Sequence, residues 1–216
     1  MSVKLFEIFD HQFTHPFSLI IAGMSMSGKT YFTKQLIENR EILIKPTPIE
    51  VIVCYSEDQQ IYSDLKVNKH IKFIKGLDFD FSENQNPKLL IIDDQMTSSA
   101  QSKEVQELFI KGVHHKNVSL VFITQNLFNQ GRYARDMRLN AHYLIVFKSP
   151  MFLSSVGYLS RQFNPTHPKF VLESYKDATK KPYSYLFINL HPNCDDELRI
   201  RTGILPNESE IVYVPT

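Results

Sequence analysis

Cysteine is scarce: Cys54 and Cys194 are the only two in a chain of 216 residues. They stand far apart without metal-ligand spacing, which excludes a disulfide scaffold and a cysteine metal site and points to a reducing compartment. An excess of charge of one sign is lacking as well. Lysine and arginine total 24 against 23 aspartate and glutamate, so the whole-molecule field is too weak to draw in nucleic acid. Any such contact needs a local patch. No apolar run approaches the roughly 20 residues that cross a bilayer, and nothing at the N-terminus combines a basic stretch, an apolar core and a cleavage site. The expectation is an intracellular protein, neither secreted nor inserted in a membrane. Internal repeats, low-complexity tracts and Gly/Ser linkers are absent. One domain is therefore expected over residues 1–216, with a core at about 15–150 and an extension of the same sheet over 151–216.

What is present is a chain with ample material for a core: 43% of residues are hydrophobic, with 16 Phe and 10 Tyr. Phe17–Ala22 is a short apolar run that enters a glycine-bearing loop and is followed by helical spacing over Tyr31–Asn39. Further apolar runs occupy Glu50–Cys54, Ile71–Ile74, Lys88–Ile92, Val118–Thr124 and Tyr143–Phe147. Continuous β-branched runs of this kind belong to strands covered on both faces, as in parallel sheets. Over Gln101–Val113, Val105, Leu108, Phe109 and Val113 fall on one helical face. A helix is expected over Phe152–Phe163, a turn over Asn164–Pro168, and late strands at Tyr185–Leu190 and Leu198–Thr202. Strands alternating with helices predict an α/β fold with a mostly parallel sheet and helices on both faces.

Gly23-Met24-Ser25-Met26-Ser27-Gly28-Lys29-Thr30 matches G-x-x-x-x-G-K-S/T in full, at a place where a strand precedes and a helix follows. A chance match in a chain of this length has odds on the order of one per cent or less. The residue types follow from the chemistry. Glycines let the backbone curl around phosphate oxygens, so that successive N–H groups and the helix N-terminus face the anion. Lys29 reaches the β and γ phosphates, and Thr30 offers its hydroxyl to Mg²⁺. Tyr31 follows directly and closes the segment expected to touch the nucleotide. The expected cofactors are ATP and Mg²⁺.

Leu89-Leu90-Ile91-Ile92-Asp93-Asp94 is an apolar strand that ends in two carboxylates, the Walker B pattern. Asp93 is expected to hold Mg²⁺ through water, and Asp94 takes the position of the acid that orients and deprotonates the attacking water. The bland alternative is an acidic turn capping the next helix. Val121-Phe122-Ile123-Thr124-Gln125 is a second buried-type strand ending in an amide; Gln125 can hydrogen-bond both water and γ-phosphate, or simply be a satisfied strand end.

With an extra strand between the phosphate-loop strand and the acidic strand, the chain resembles the additional-strand, RecA/FtsK-like class of P-loop ATPases. Within it, GMSMSGKT, LLIIDDQM, VSLVFITQNLF and RDMRLNAHYLIVFK resemble the FtsK/HerA superfamily. The closest likeness is to its viral genome-packaging branch, of the poxvirus type and the Maverick/Polinton or adintovirus-like elements. The likeness spans about Phe17 to Pro206. It implies an ATPase that moves double-stranded DNA without regard to base sequence, a homo-oligomeric ring with ATP between subunits, and a capsid protein as partner. It also implies a viral assembly site or nucleus in the host cell. A ring of this kind needs a cation from the neighbouring subunit. Arg138 matches a recurrent family arginine; cellular relatives carry an arginine where this chain reads His114-His115-Lys116, so Lys116 competes with it. Arg132 and Arg135, in an expected loop over Gly131–Arg135, compete too.

Two other readings of the same chain stand beside the motor. A small nucleotide or nucleoside kinase shares the loop and the size, but needs an arginine-rich lid and no glutamine after the neighbouring strand. A nucleotide-dependent adaptor would tether DNA with little hydrolysis, since aspartate at 94 is shorter than the usual glutamate. A GTPase fits less well, because Asn68-Lys69 lacks the aspartate two residues on. His114 and His115 point about 100° apart on a helix and have no third ligand, which argues against a metal pair. Lys111 to Lys116 with Arg132 to Arg138 form either a DNA-facing patch or solvated helix ends.

Overall fold

The computed structural model describes residues 2–4, 12–55, 60–78, 86–93, 103–112, 116–127 and 132–215. Strand β3 (Ser18–Ala22) lies at the centre of its sheet, between β8 (Val118–Thr124) and β9 (Tyr143–Phe147), both parallel to it. Beyond β8 come β7 (Lys88–Asp93), β5 (Glu50–Tyr55) and β6 (Ile71–Lys75), all parallel. On the other side β10 (Tyr185–Asn189), β11 (Ile200–Thr202), β12 (Ile211–Val214) and β1 (Ser2–Lys4) continue the sheet antiparallel. The C-terminal strands thus pair into the same sheet, ten-stranded among the described residues. A separate parallel pair is made by β2 (Phe13–Thr14) and β4 (Ile44–Lys45).

Alternation along each strand divides the core in two. Leu19, Ile21, Val51, Val53, Leu89, Ile91, Val121 and Ile123 face helix α1 (Lys29–Glu38), the short α2 (Arg40–Leu43) and a 3₁₀ segment at Gln60–Val67. Ile20, Ala22, Ile52, Leu90, Ile92, Leu120 and Phe122 face the other way. There they meet α3 (Lys103–Glu107, continued as a π turn to Gly112), α4 (Arg132–Leu139), α5 (Leu153–Phe163) and α6 (Phe170–Ala178). Both faces are covered, as the unbroken apolar runs require.

Helix α4 corrects one expectation. The stretch read as a loop over Gly131–Arg135 is helical from Arg132, because Met137 is buried against the sheet and Ala134 packs near Ile20 and Phe122. Interleaved arginines hide that narrow apolar face. The predicted helix at 101–113 is present over its described part, with Val105 and Phe109 buried. Helix α6 and strand β12 had no counterpart in the sequence reading.

Helix α6 is tied to the end of β9 through Tyr175, whose buried hydroxyl donates to Phe147 O at 3.0 Å and accepts from Ser149 N at 2.8 Å. Tyr175→Phe leaves two buried backbone groups short of a partner. It is expected to cost about 1–3 kcal/mol, or roughly 3–10 °C in Tm for a chain of this size, as read by thermal denaturation.

Candidate functional site

The site is built where β3 stops. Gly23 N donates to Thr124 O at 3.1 Å, which ties the first residue of the loop to the end of β8. The chain then turns through Met26 (φ 62°) and Gly28 (φ 109°) into the first turn of α1. Left-handed backbone at these two positions bends a run of N–H groups inward, the geometry of an anion nest. No side chain caps α1 at Gly28, and its first turn holds no acidic residue, so no carboxylate of the helix itself offsets the positive end of its dipole, which faces the loop.

Phe147, at the end of β9, is the floor of this turn. A Cβ on Gly23 would lie 2.7 Å from Phe147 Cβ and 2.5 Å from Ser27 Oγ, and one on Gly28 would lie 3.1 Å from the Phe147 ring. Both glycines are therefore fixed by contact, and Gly28 by its left-handed backbone as well. Phe147 is in turn held by Phe32 and Tyr185, with ring centroids 6.4 and 5.6 Å away.

Lys29 Nζ donates to Gly23 O at 2.7 Å and Met24 O at 2.8 Å, which holds the ammonium inside the loop. Ser27 Oγ is buried without a hydrogen-bond partner among the described residues. A buried hydroxyl of this kind costs free energy unless something accepts from it. The inward-held ammonium, the left-handed turn and the uncapped helix N-terminus fit the phosphates of a triphosphate. Beside the loop is a cleft of about 410 Å³ walled by Met26 to Tyr31, Ile61 and Tyr183, within the size range of small-ligand sites.

Asp93 closes β7, half-buried, level with Ile123 of β8 and through it with Ile21 of β3. Because Leu89 and Ile91 face α1, alternation turns Asp93 to the same face. Its carboxylate adds to the burial that pushes the Tyr62 hydroxyl pKa upward. Tyr62 hydrogen-bonds the side chain of Thr33, and Thr33 Oγ1 donates to Lys29 O at 3.0 Å. Asp93, the 3₁₀ segment and the first turn of α1 are thus linked. The Thr30 hydroxyl and Asp93 carboxylate are hard oxygen donors of the kind Mg²⁺ takes, one or two from protein and the rest from phosphate and water. Among the described residues no group of three His, Cys, Asp or Glu is placed to hold a metal.

Gln125 is exposed just past β8, the strand lying between the loop strand and the acidic strand. Of the candidate trans cations, Arg138 sits in the last turn of α4, half-buried, and its Nη1 donates to Leu127 O at 3.2 Å, two residues past Gln125. Burial, and then the charge of Arg135, lower its pKa. Arg135 is exposed one turn earlier. Lys116 is exposed before the start of β8, about 20 Å along that strand from the loop end. Asp94, Gly131, His114, His115 and the Arg132 side chain lie outside the described residues. Ile61, Tyr62, Phe147 and Tyr183 entered the site without being singled out by the sequence. Phe147 falls in a stretch that reads as a core strand, and Tyr183 lies just ahead of the strand expected at Tyr185–Leu190.

No protein-family model matches the chain, and no curated protein does. Solved structures do. The genome packaging NTPase B204 from Sulfolobus turreted icosahedral virus 2, in complex with sulfate, superposes with a TM-score of 0.52 at 16% identity, covering 93% of this chain and 96% of that one. The same protein in complex with AMPPCP gives 0.51 at 16%, covering 94% and 99%. The cytoplasmic domain of the Type VII secretion ATPase EccC from Thermomonospora curvata gives 0.52 at 12%, covering 91% of this chain but 25% of that one. At such identities the likeness establishes the fold, an α/β P-loop NTPase. No helix among the described residues is long and apolar enough to cross a membrane.

Proposed function

We propose that this chain is an ATP-hydrolysing subunit of a homo-oligomeric ring motor of the FtsK/HerA type, which moves double-stranded viral or virus-like DNA into a capsid. The observation that carries the reading is the loop itself: left-handed Gly28 opening an uncapped helix, with the Lys29 ammonium held inside it. The full-length likeness to a viral packaging NTPase supports the motor over other users of the same loop.

In this reading the loop N–H groups and Lys29 bind the β and γ phosphates of ATP. Thr30 and Asp93 would hold Mg²⁺, which would supply positive charge to offset that of the phosphates. Asp94 takes a proton from the attacking water, and Gln125 orients it. A cation from the neighbouring subunit meets the charge that develops on the γ-phosphoryl; Arg138, Arg135, Arg132 and Lys116 are the candidates. The capsid protein is the proposed partner, inside the host cell.

The test is ATPase turnover with and without double-stranded DNA, taken beside the mass of the assembly. Expected are an oligomer, and stimulation by DNA of any sequence that falls steeply between about 50 and 200 mM salt, since only backbone phosphates are gripped. A monomer that turns over only with added nucleoside would make it a kinase. Tight ATP binding without DNA-stimulated turnover would make it an adaptor.

A further inference from the structure

Lys181 to Ser184 form the turn that joins α6 to β10. Ser184 N donates to Lys181 O at 3.4 Å, Pro182 takes the first central position and Tyr183, with φ 63°, the second. A positive φ at the second central position is the signature of a type II turn, where glycine or asparagine is the usual occupant. A tyrosine there is strained, because a left-handed backbone crowds its Cβ against the carbonyl. Burial does not offset that strain: the side chain is 70% exposed and, among the described residues, makes no hydrogen bond.

The place the ring occupies gives the strain a purpose. A Cβ on Gly28 would lie 3.4 Å from Tyr183 Cβ and 3.5 Å from its Cδ1, so Tyr183 stands directly against the phosphate loop. From there it walls the 410 Å³ cleft together with Tyr31 and Ile61. Among the described residues, the side-chain polar atoms on this wall are those of Ser27, Lys29 and Thr30 and the two tyrosine hydroxyls. The cleft therefore offers flat apolar surface beside a polyanion site, the surface on which a nucleobase stacks.

We propose that Tyr183 is the stacking platform for the base of a nucleoside triphosphate whose phosphates lie in the loop. The inference rests on the nucleotide-binding reading above and adds the residue that grips the base. Recognition through ring faces is tolerant of base identity, so ATP and GTP bind alike.

Wild type, Tyr183→Gly and Tyr183→Phe are titrated with ATP, GTP and inorganic triphosphate, and their Tm values compared. Glycine relieves the backbone, so Tyr183→Gly keeps a Tm no lower than wild type while binding ATP and GTP about ten-fold weaker or more. Its affinity for triphosphate stays within about two-fold, and Tyr183→Phe binds all three as wild type does. Unchanged ATP binding by Tyr183→Gly overturns the inference alone. So does an equal loss of ATP and triphosphate, which would mean that the residue shapes the loop and not the base site. A strong wild-type preference for ATP over GTP overturns it too, since stacking does not make that distinction. A wild-type protein that binds neither nucleotide nor triphosphate overturns the phosphate-loop reading and this inference with it.

Discussion

Lys29→Ala is expected to lower ATP turnover by about a thousand-fold or more and to weaken ATP binding, because it removes the loop cation that meets charge as the γ-phosphoryl leaves. The ammonium is already aimed inward, on Gly23 O and Met24 O. Among the described residues no other lysine or arginine lines the cleft. The fold has a limited stake: Met24 is exposed and water can satisfy its carbonyl, whereas Gly23 is buried and its carbonyl loses a partner, at about 1–3 kcal/mol. A folded variant with a Tm within about 10 °C of wild type is therefore expected beside the lost activity, which separates a chemical defect from unfolding. Phosphate release and an ATP titration on the folded variant decide the matter: turnover near wild type would remove Lys29, and with it the loop, from the chemistry.

The loop was legible because its chemistry is local. The glycines, lysine and threonine of Gly23 to Thr30 are the types that a phosphate-binding turn requires, so a short pattern is readable without the rest of the fold. The parallel strands were legible for a related reason: burial on both faces imposes unbroken apolar runs such as LLII and VSLVFIT, and β7 and β8 begin where those runs begin. What escaped is what depends on contacts distant in sequence. Phe147 reads as one more core residue of YLIVF, yet it limits both loop glycines from more than a hundred positions away. Tyr183 owes its place to a turn that only the pairing of β10 with β9 brings beside Gly28. Helix α4 was missed because arginines dilute its apolar face to Ala134 and Met137. For Arg138 the sequence supplied a family position, whereas the structure adds a carbonyl partner in its own subunit, Leu127 O. An arginine serving the neighbouring site would have to exchange that bond for a phosphate oxygen.

Asp93→Asn and Asp94→Asn are expected to fail differently, and the difference tests how the paired carboxylates divide their work. Asp93 ends β7 on the face that carries α1, and its field reaches the Tyr62 hydroxyl, which is bonded to Thr33 one turn after Lys29. A carboxylate on that side is placed to act with the Thr30 hydroxyl on a cation held against the phosphates. Asparagine keeps the shape but loses the charge that attracts Mg²⁺. Asp93→Asn should therefore lose most of the gain in ATP affinity that Mg²⁺ confers, while affinity measured in EDTA changes little. In the proposed mechanism Asp94 is the proton acceptor, a role that asparagine cannot fill at all. Asp94→Asn should keep Mg²⁺-dependent ATP binding and slow hydrolysis by roughly two to four orders of magnitude, the scale on which a general base contributes. Because the acceptor acts only as the water is attacked, its loss falls on kcat and leaves ground-state binding intact. Titrations with and without Mg²⁺, paired with single-turnover hydrolysis, read both quantities on each variant. The opposite pattern, with Asp93→Asn binding normally but inert and Asp94→Asn blind to Mg²⁺, would exchange the two roles and place the base on the α1 face of the sheet.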